Sequence, residues 1–176
     1  MMKKRLLAGF LTLAILVSLF PIPALAAEDV TISTLGELEA FRDAVNNGDT
    51  YAGKTVILVN DIDMSEKYGE GEGKESWTPI GTSSKKFSGT FDGSGHEITG
   101  LYINAPNDRE QGLFGCIEYA EVKNLGVSGT VIGEWDVGGV AGYSGYSSIT
   151  NCYNTGTITG KEGKDYLELA EKNWRV

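Results

Sequence analysis

At 176 residues, 41% apolar and 22% charged, the chain has room for one domain of ordinary globular composition. Its formal charge of −9, with no run of Lys and Arg beyond the extreme N-terminus, argues against nucleic acid and anionic membrane as partners, because both are held through clustered cations. Twenty-four glycines against four prolines, without a collagen-like period, point to many tight turns between short strands.

Residues 1–26 have the build of a cleavable signal peptide. Lys3, Lys4 and Arg5 form a positive start, residues 6–20 are apolar and uncharged, and Pro21 and Pro23 interrupt the run. Ala24-Leu25-Ala26 then supplies small side chains at an A-x-A cleavage site. The apolar run is about 15 residues, short of the roughly 20 that a spanning helix needs. The expectation is a secreted or cell-surface protein that touches membrane only through this segment, before its removal. Loss of the three basic residues takes the formal charge from −9 to −12.

The mature chain starts with a short strand candidate, Val30-Thr31-Ile32. Thr34-Leu35-Gly36-Glu37 fits a capping box, and Leu35, Leu38, Phe41 and Val45 then recur at helical spacing. Asn46-Asn47-Gly48 is a stop, so an amphipathic helix is expected over residues 35–47. Residues 55–60 form a continuous β-branched run, which predicts a strand buried on both faces. An acidic, glycine-rich loop runs to about Ser76, and Trp77-Thr78-Pro79-Ile80-Gly81 re-enters the fold. Residues 87–91 and 97–103 are further strands, joined by Asp92-Gly93-Ser94-Gly95.

Residues 112–133 and 139–160 repeat at a constant offset of 27 without a gap. Gly112, Gly115, Tyr119, Asn124, Gly129, Thr130 and Gly133 recur as Gly139, Gly142, Tyr146, Asn151, Gly156, Thr157 and Gly160. Leu113/Val140, Val122/Ile149 and Val131/Ile158 keep apolar character. Each copy holds about three strand-length pieces separated by glycine or asparagine, the two residue types most at ease with positive φ. This suits one coil of a parallel β-helix, in which stacked coils bury what a single coil cannot. A β-sandwich with two similar hairpins is the alternative, and a gapless offset favours the solenoid.

Several strings then resemble the GLUG-repeat family of bacterial exported and surface proteins, which also supplies non-catalytic regions of immunoglobulin-cleaving metallopeptidases. They are Trp77-Thr78-Pro79-Ile80-Gly81, residues 87–96, Gly112-Leu113-Phe114-Gly115, Val122-Lys123-Asn124-Leu125 and residues 151–156. The resemblance covers about residues 30–160. It implies an all-β, right-handed parallel β-helix in an adhesin-like or surface-display protein, here with the helix at 35–47 as an N-terminal cap. The domain would span 27–160 and residues 161–176 would form a tail. In that tail, residues 165–174 suit a short amphipathic helix, either a second cap or the broken end of a longer array.

Catalytic chemistry finds few residues. A zinc peptidase needs His-Glu-x-x-His, and the chain has one histidine, His96, beside a turn that it is expected to close. No Gly-x-Ser-x-Gly elbow is present for a serine nucleophile. A polysaccharide-cleaving β-helix needs paired carboxylates. Asp61 and Asp63, at i and i+2, share a strand face, and Asp92 and Asp136 are further candidates, but Asp-Ile-Asp and Asp-Gly also suit turn closure. No enzyme and no cofactor are therefore expected. Calcium is a secondary possibility, because Asp61, Asp63, Ser65 and Glu72 fall at positions 1, 3, 5 and 12 of a loop, although position 6 is Glu66 where the turn needs glycine.

Cys116 and Cys152 sit in apolar strand-like contexts and are expected as buried small hydrophobes rather than a disulfide framework. Trp135, Tyr143, Tyr146 and Tyr153 are candidate binding residues: in a row on a solenoid wall they would stack on sugar rings or partner surfaces, and inside the bore they would be core. The expected function is an exported, non-catalytic module that binds an extracellular glycan or protein. A polysaccharide-active enzyme and a structural spacer from a longer array are the alternatives.

Overall fold

Short strands separated by glycine and asparagine corners pair in parallel with the equivalent strands one coil away. The computed structural model describes residues 29–161 and has this arrangement throughout. The signal peptide expected at 1–26 and the helix expected at 165–174 lie outside the described residues.

The described chain is a parallel β-solenoid of about five turns. The first coil is β1 (Val30–Ile32) followed by α1 (Leu35–Asn47). The second holds β2 (Thr55–Leu58) and β3 (Ile62–Asp63), with Ile80 and Phe87 as bridge residues on its third side. The third is β4 (Thr90–Asp92), β5 (Glu97–Asn104) and β6 (Phe114–Glu118), and the fourth is β7 (Glu121–Lys123), β8 (Gly126–Ile132) and β9 (Ala141–Gly145). The fifth is β10 (Ser148–Thr150), β11 (Tyr153–Asn154) and β12 (Thr157–Thr159). Stacking gives three walls: β1-β2-β4-β7-β10, then β3-β5-β8 with β11 and β12 on β8, then β6-β9. Every strand pair is parallel, which removes the sandwich alternative.

The 27-residue sequence offset is the physical register of the last two coils. Glu121 faces Ser148, Thr130 faces Thr157 and Phe114 faces Ala141. The corners repeat with it: Tyr119, Tyr146, Asn124 and Asn151 have φ of 53°, 49°, 54° and 50°. At the asparagine corner Asn124 Nδ2 donates to Asp92 Oδ1 at 3.0 Å and Asn151 Nδ2 donates to Asn124 Oδ1 at 2.7 Å, a polar ladder across three coils. Gly129 stands where the β5–β8 register shifts, with φ 150°, and a Cβ there would lie 1.9 Å from the Leu101 carbonyl oxygen. Its repeat partner Gly156 crowds Gly129 in the same way, so a side chain is excluded at both positions.

The helix expected at 35–47 is present with both halves of its capping box and Gly48 left-handed at its end. Its apolar stripe, Leu38, Phe41 and Val45, closes the bore. Phe41 meets Tyr51, Phe87 and Phe91 at ring-centroid separations of 5.0, 5.5 and 5.9 Å, which binds the cap to the second and third coils. Asn46 fixes the other side of the helix, accepting from the Gly81 amide at 2.7 Å and donating to the Pro79 carbonyl at 3.0 Å. Trp77 is buried beneath the Arg42 guanidinium and donates to the Leu113 carbonyl. The Trp-Thr-Pro-Ile-Gly string is thus the joint between cap and solenoid.

Two expectations are corrected. The run at 55–60 is a strand only at Thr55–Leu58, and it buries Val56 and Leu58 while Thr55 and Ile57 face outward. A solenoid wall has one face on the bore, so the β-branched run reflects strand preference rather than two-sided burial. His96 does not close its own turn through its side chain. Its Nδ1 lies 3.0 Å from Asp61 Oδ1 and so ties the third coil to the second. Cys116 and Cys152 are buried free thiols, and burial raises both above the ordinary thiol value.

Removing the Phe41 ring leaves a cavity among four aromatic rings. Phe41→Ala is expected to lower the unfolding free energy by about 3–5 kcal/mol, measured by chemical denaturation. Glu39, on the outer face of α1, accepts from Lys67 Nζ at 2.8 Å and from the Tyr68 hydroxyl at 2.6 Å. The Lys67 bond chiefly, then Tyr68, holds its carboxyl below the ordinary value of 4.5. A depressed folded value means that this tie is complete above about pH 4.5 and is lost as pH falls through the folded value. Glu39→Gln is therefore expected to lower the melting temperature at neutral pH and to flatten its decline on acidification.

Candidate functional site

On the first wall the outward residues at the head of each strand form a registered row: Thr55, Thr90, Glu121 and Ser148. The residues just before them, Lys54, Gly89, Ala120 and Ser147, turn the corner. These eight, with Gly53, Ser88, Tyr119 and Tyr146, line a shallow groove of about 680 Å³ that runs along the solenoid. Gly89 lies so close to the Tyr51 and Lys54 carbonyls that no Cβ fits, which keeps the floor low.

Tyr119 and Tyr146 border this groove. Both sit at left-handed corners, a conformation that turns the side chain away from the bore, and they are 69% and 82% exposed. Their rings stack at 5.2 Å with an interplanar angle of 10°. Rings aligned this way are set by coil spacing rather than by a hydrophobic pocket, because successive strands lie about 4.8 Å apart. The charged groups of the groove are paired locally. Lys54 Nζ bonds Asp49 at 3.0 Å and lies over the Tyr51 ring, while Glu121 accepts from Lys123 at 3.1 Å.

The four aromatic residues singled out in the sequence do not form one row. Tyr146 stands on the groove. Tyr143 is on β9, 41% exposed, in register with Cys116 on the third wall. Tyr153 is on β11 of the second wall, its ring over Gly126, and its hydroxyl donates to Glu97 Oε1, which raises its own pKa. Trp135 is half-buried between β8 and β9, with the Arg109 guanidinium 3.9 Å from its ring centroid. Tyr119 was the residue missed. It repeats as Tyr146 at the 27-residue offset, and that pairing was the available signal.

Of the calcium candidates, Asp61 accepts from the Glu97 amide and lies against His96, and these contacts hold its carboxyl below the ordinary range. Asp63 accepts from the Ser65 amide two residues on, with the same effect. Glu72 is exposed in the loop after β3. Among the described residues no three His, Cys, Asp or Glu side chains are gathered as a metal site. Asp92 accepts from the Ser94 amide and from Asn124, and Asp136 is a left-handed corner residue with φ 55°.

Comparison with known proteins bears on the fifth coil. The GLUG motif matches residues 133–159. The chain therefore carries a GLUG motif in that segment. In this structure the GLUG match runs from the end of β8 through β9, β10 and β11 to β12, so it is one turn of the solenoid, and it contains Tyr146, Asn151 and Gly156. Two similar proteins are Halomucin of Haloquadratum walsbyi, 33% identical over 132 residues, and a putative Gly-rich membrane protein of Evansella cellulosilytica, 34% identical over 102 residues. The alignments cover 70% and 57% of this GLUG chain but only 1% and 11% of those proteins. No solved structure matches. Among the described residues no helix is long and apolar enough to cross a membrane, which says nothing of β-barrels.

Proposed function

We propose that this GLUG-motif chain is an exported, non-catalytic surface module that holds an extracellular glycan or protein in the groove of its first wall. The observation that carries the reading is the exposed Tyr119–Tyr146 stack at the edge of a groove lined by serine, threonine and small residues. Large aromatic faces left in water cost free energy and contribute it back when a partner covers them. The names of the two similar proteins, Halomucin and a putative Gly-rich membrane protein, accord with a place outside the cytoplasm.

The polysaccharide-cleaving alternative needs two carboxylates flanking a scissile bond, about 5–10 Å apart. Glu121 is the one carboxylate among the groove-lining residues, and it is held by Lys123. That favours holding over cutting. A spacer role gains no support from the tyrosine pair, which a spacer does not need.

Replacing both tyrosines by asparagine removes the rings and keeps a residue that tolerates the left-handed corner. On arrays of extracellular glycans and surface proteins, the wild-type chain is expected to be retained on a defined subset of spots. Tyr119→Asn/Tyr146→Asn should lose at least about tenfold of that retention with its melting temperature within a few degrees of wild type. Undiminished retention would remove the groove as the site, and no retention on either array would leave the spacer.

A further inference from the structure

The tyrosine stack ends at Tyr119, and the groove beyond it is lined by no further ring. Two residues before the registered row Thr55–Thr90–Glu121–Ser148 stand Gly53, Ser88, Tyr119 and Tyr146. All four line the groove. The fourth and fifth coils set stacked rings beside the groove, whereas the second and third line it with a glycine and a serine in corners of different length. Phe87 pairs with Ile117, so Ser88 stands opposite Glu118 and Tyr119 is one residue extra. Tyr146 covers one face of Tyr119, and the other face of Tyr119 looks along the solenoid toward the open stretch. Two coils without a ring leave a slot of about 10 Å along the axis, enough for a ring and its substituents.

We infer that this slot takes one pyranose ring of a neutral glycan, with the ring stacked on the free face of Tyr119 as the next member of the column. This rests on the reading of the groove as a binding site and names its ligand class. A pyranose presents an apolar C–H face to an aromatic ring and hydroxyls at its edge. The surrounding side chains supply hydroxyl partners at that edge, from Thr55, Ser88 and Thr90. The two charged side chains that border the slot are paired with neighbours, Lys54 with Asp49 and Glu121 with Lys123, so neither is unpartnered to select an anionic sugar. The chain's net charge of −9 also opposes polyuronates. An aromatic side chain from a partner protein would use the same face but would leave the three hydroxyls without partners, which favours the sugar.

The test fills the slot without removing a native ring. Ser88→Tyr places a bulky ring in the groove beside Tyr119, and Tyr119→Asn, Tyr119→Phe and Tyr146→Asn complete the set. Calorimetric titration of the full chain uses neutral hexasaccharides (β-1,4-glucan, β-1,4-xylan and α-1,6-mannan types) and oligogalacturonate. At least one neutral hexasaccharide is expected to bind wild type and Tyr119→Phe alike. Ser88→Tyr and Tyr119→Asn should each weaken it by about tenfold or more, while Tyr146→Asn changes it less than about threefold. An unchanged melting temperature in Ser88→Tyr separates blocking from unfolding, and Tyr119→Phe against Tyr119→Asn separates ring stacking from corner strain. Equal losses in Tyr146→Asn and Tyr119→Asn, indifference to Ser88→Tyr, or preference for oligogalacturonate would overturn the slot. If the array spots lost by the double asparagine variant are proteins and no hexasaccharide binds, the ring inference falls while the groove remains a binding site.

Discussion

The interaction on which the rest depends is the parallel backbone pairing between successive coils. Once Glu121 is held opposite Ser148, Thr130 opposite Thr157 and Phe114 opposite Ala141, every pair of residues 27 apart is placed one above the other. Apolar pairs such as Val122 and Ile149 then line one bore, polar corners become the Asp92–Asn124–Asn151 ladder, and outward rings become the Tyr119–Tyr146 stack. No side-chain contact sets this register alone. It is shared among three walls, so a slip on one wall would require breaking the other two.

Such stacking needs an end that does not add another coil, and α1 provides it at the β1 side. The cap replaces strand pairing with aromatic packing around Phe41 and with the Asn46 bonds to Pro79 and Gly81. Because these contacts reach the second and third coils, the part of the first wall that carries the open slot is braced from behind. A groove of small, low-entropy residues on a braced sheet loses little freedom when filled.

The fold was legible where spacing is regular. The capping box at Thr34 and Glu37 located α1 to the residue, and the gapless offset located β6 to β12 because the last two coils are equal in length. The earlier coils were not visible as repeats. β2 and β4 pair at an offset of 35 because the loop after β3 is inserted between them, and β4 and β7 pair at 31. The run at residues 55–60 points to a strand buried on both faces, yet only Val56 and Leu58 are buried, because β-branched residues suit an outward strand position as well as an inward one. The site was half legible: Tyr146 was among the chosen aromatics, but grouping it with Tyr143 and Tyr153 relied on nearness in sequence. In a solenoid, nearness along the wall follows the coil period, and by that measure Tyr146 belongs with Tyr119.

The registered column is the central claim, and a cross-link measures it directly. Parallel partners lie within the Cα separation that a disulfide spans, roughly 4.4–6.8 Å, whereas residues displaced by two positions do not. Thr130→Cys/Thr157→Cys, oxidised in the native state and mapped by mass spectrometry, is expected to form an intramolecular bond between the two introduced cysteines. Ser128→Cys/Thr157→Cys should stay reduced under the same conditions. The reverse outcome would place the fifth coil in another register and dissolve the tyrosine column with it.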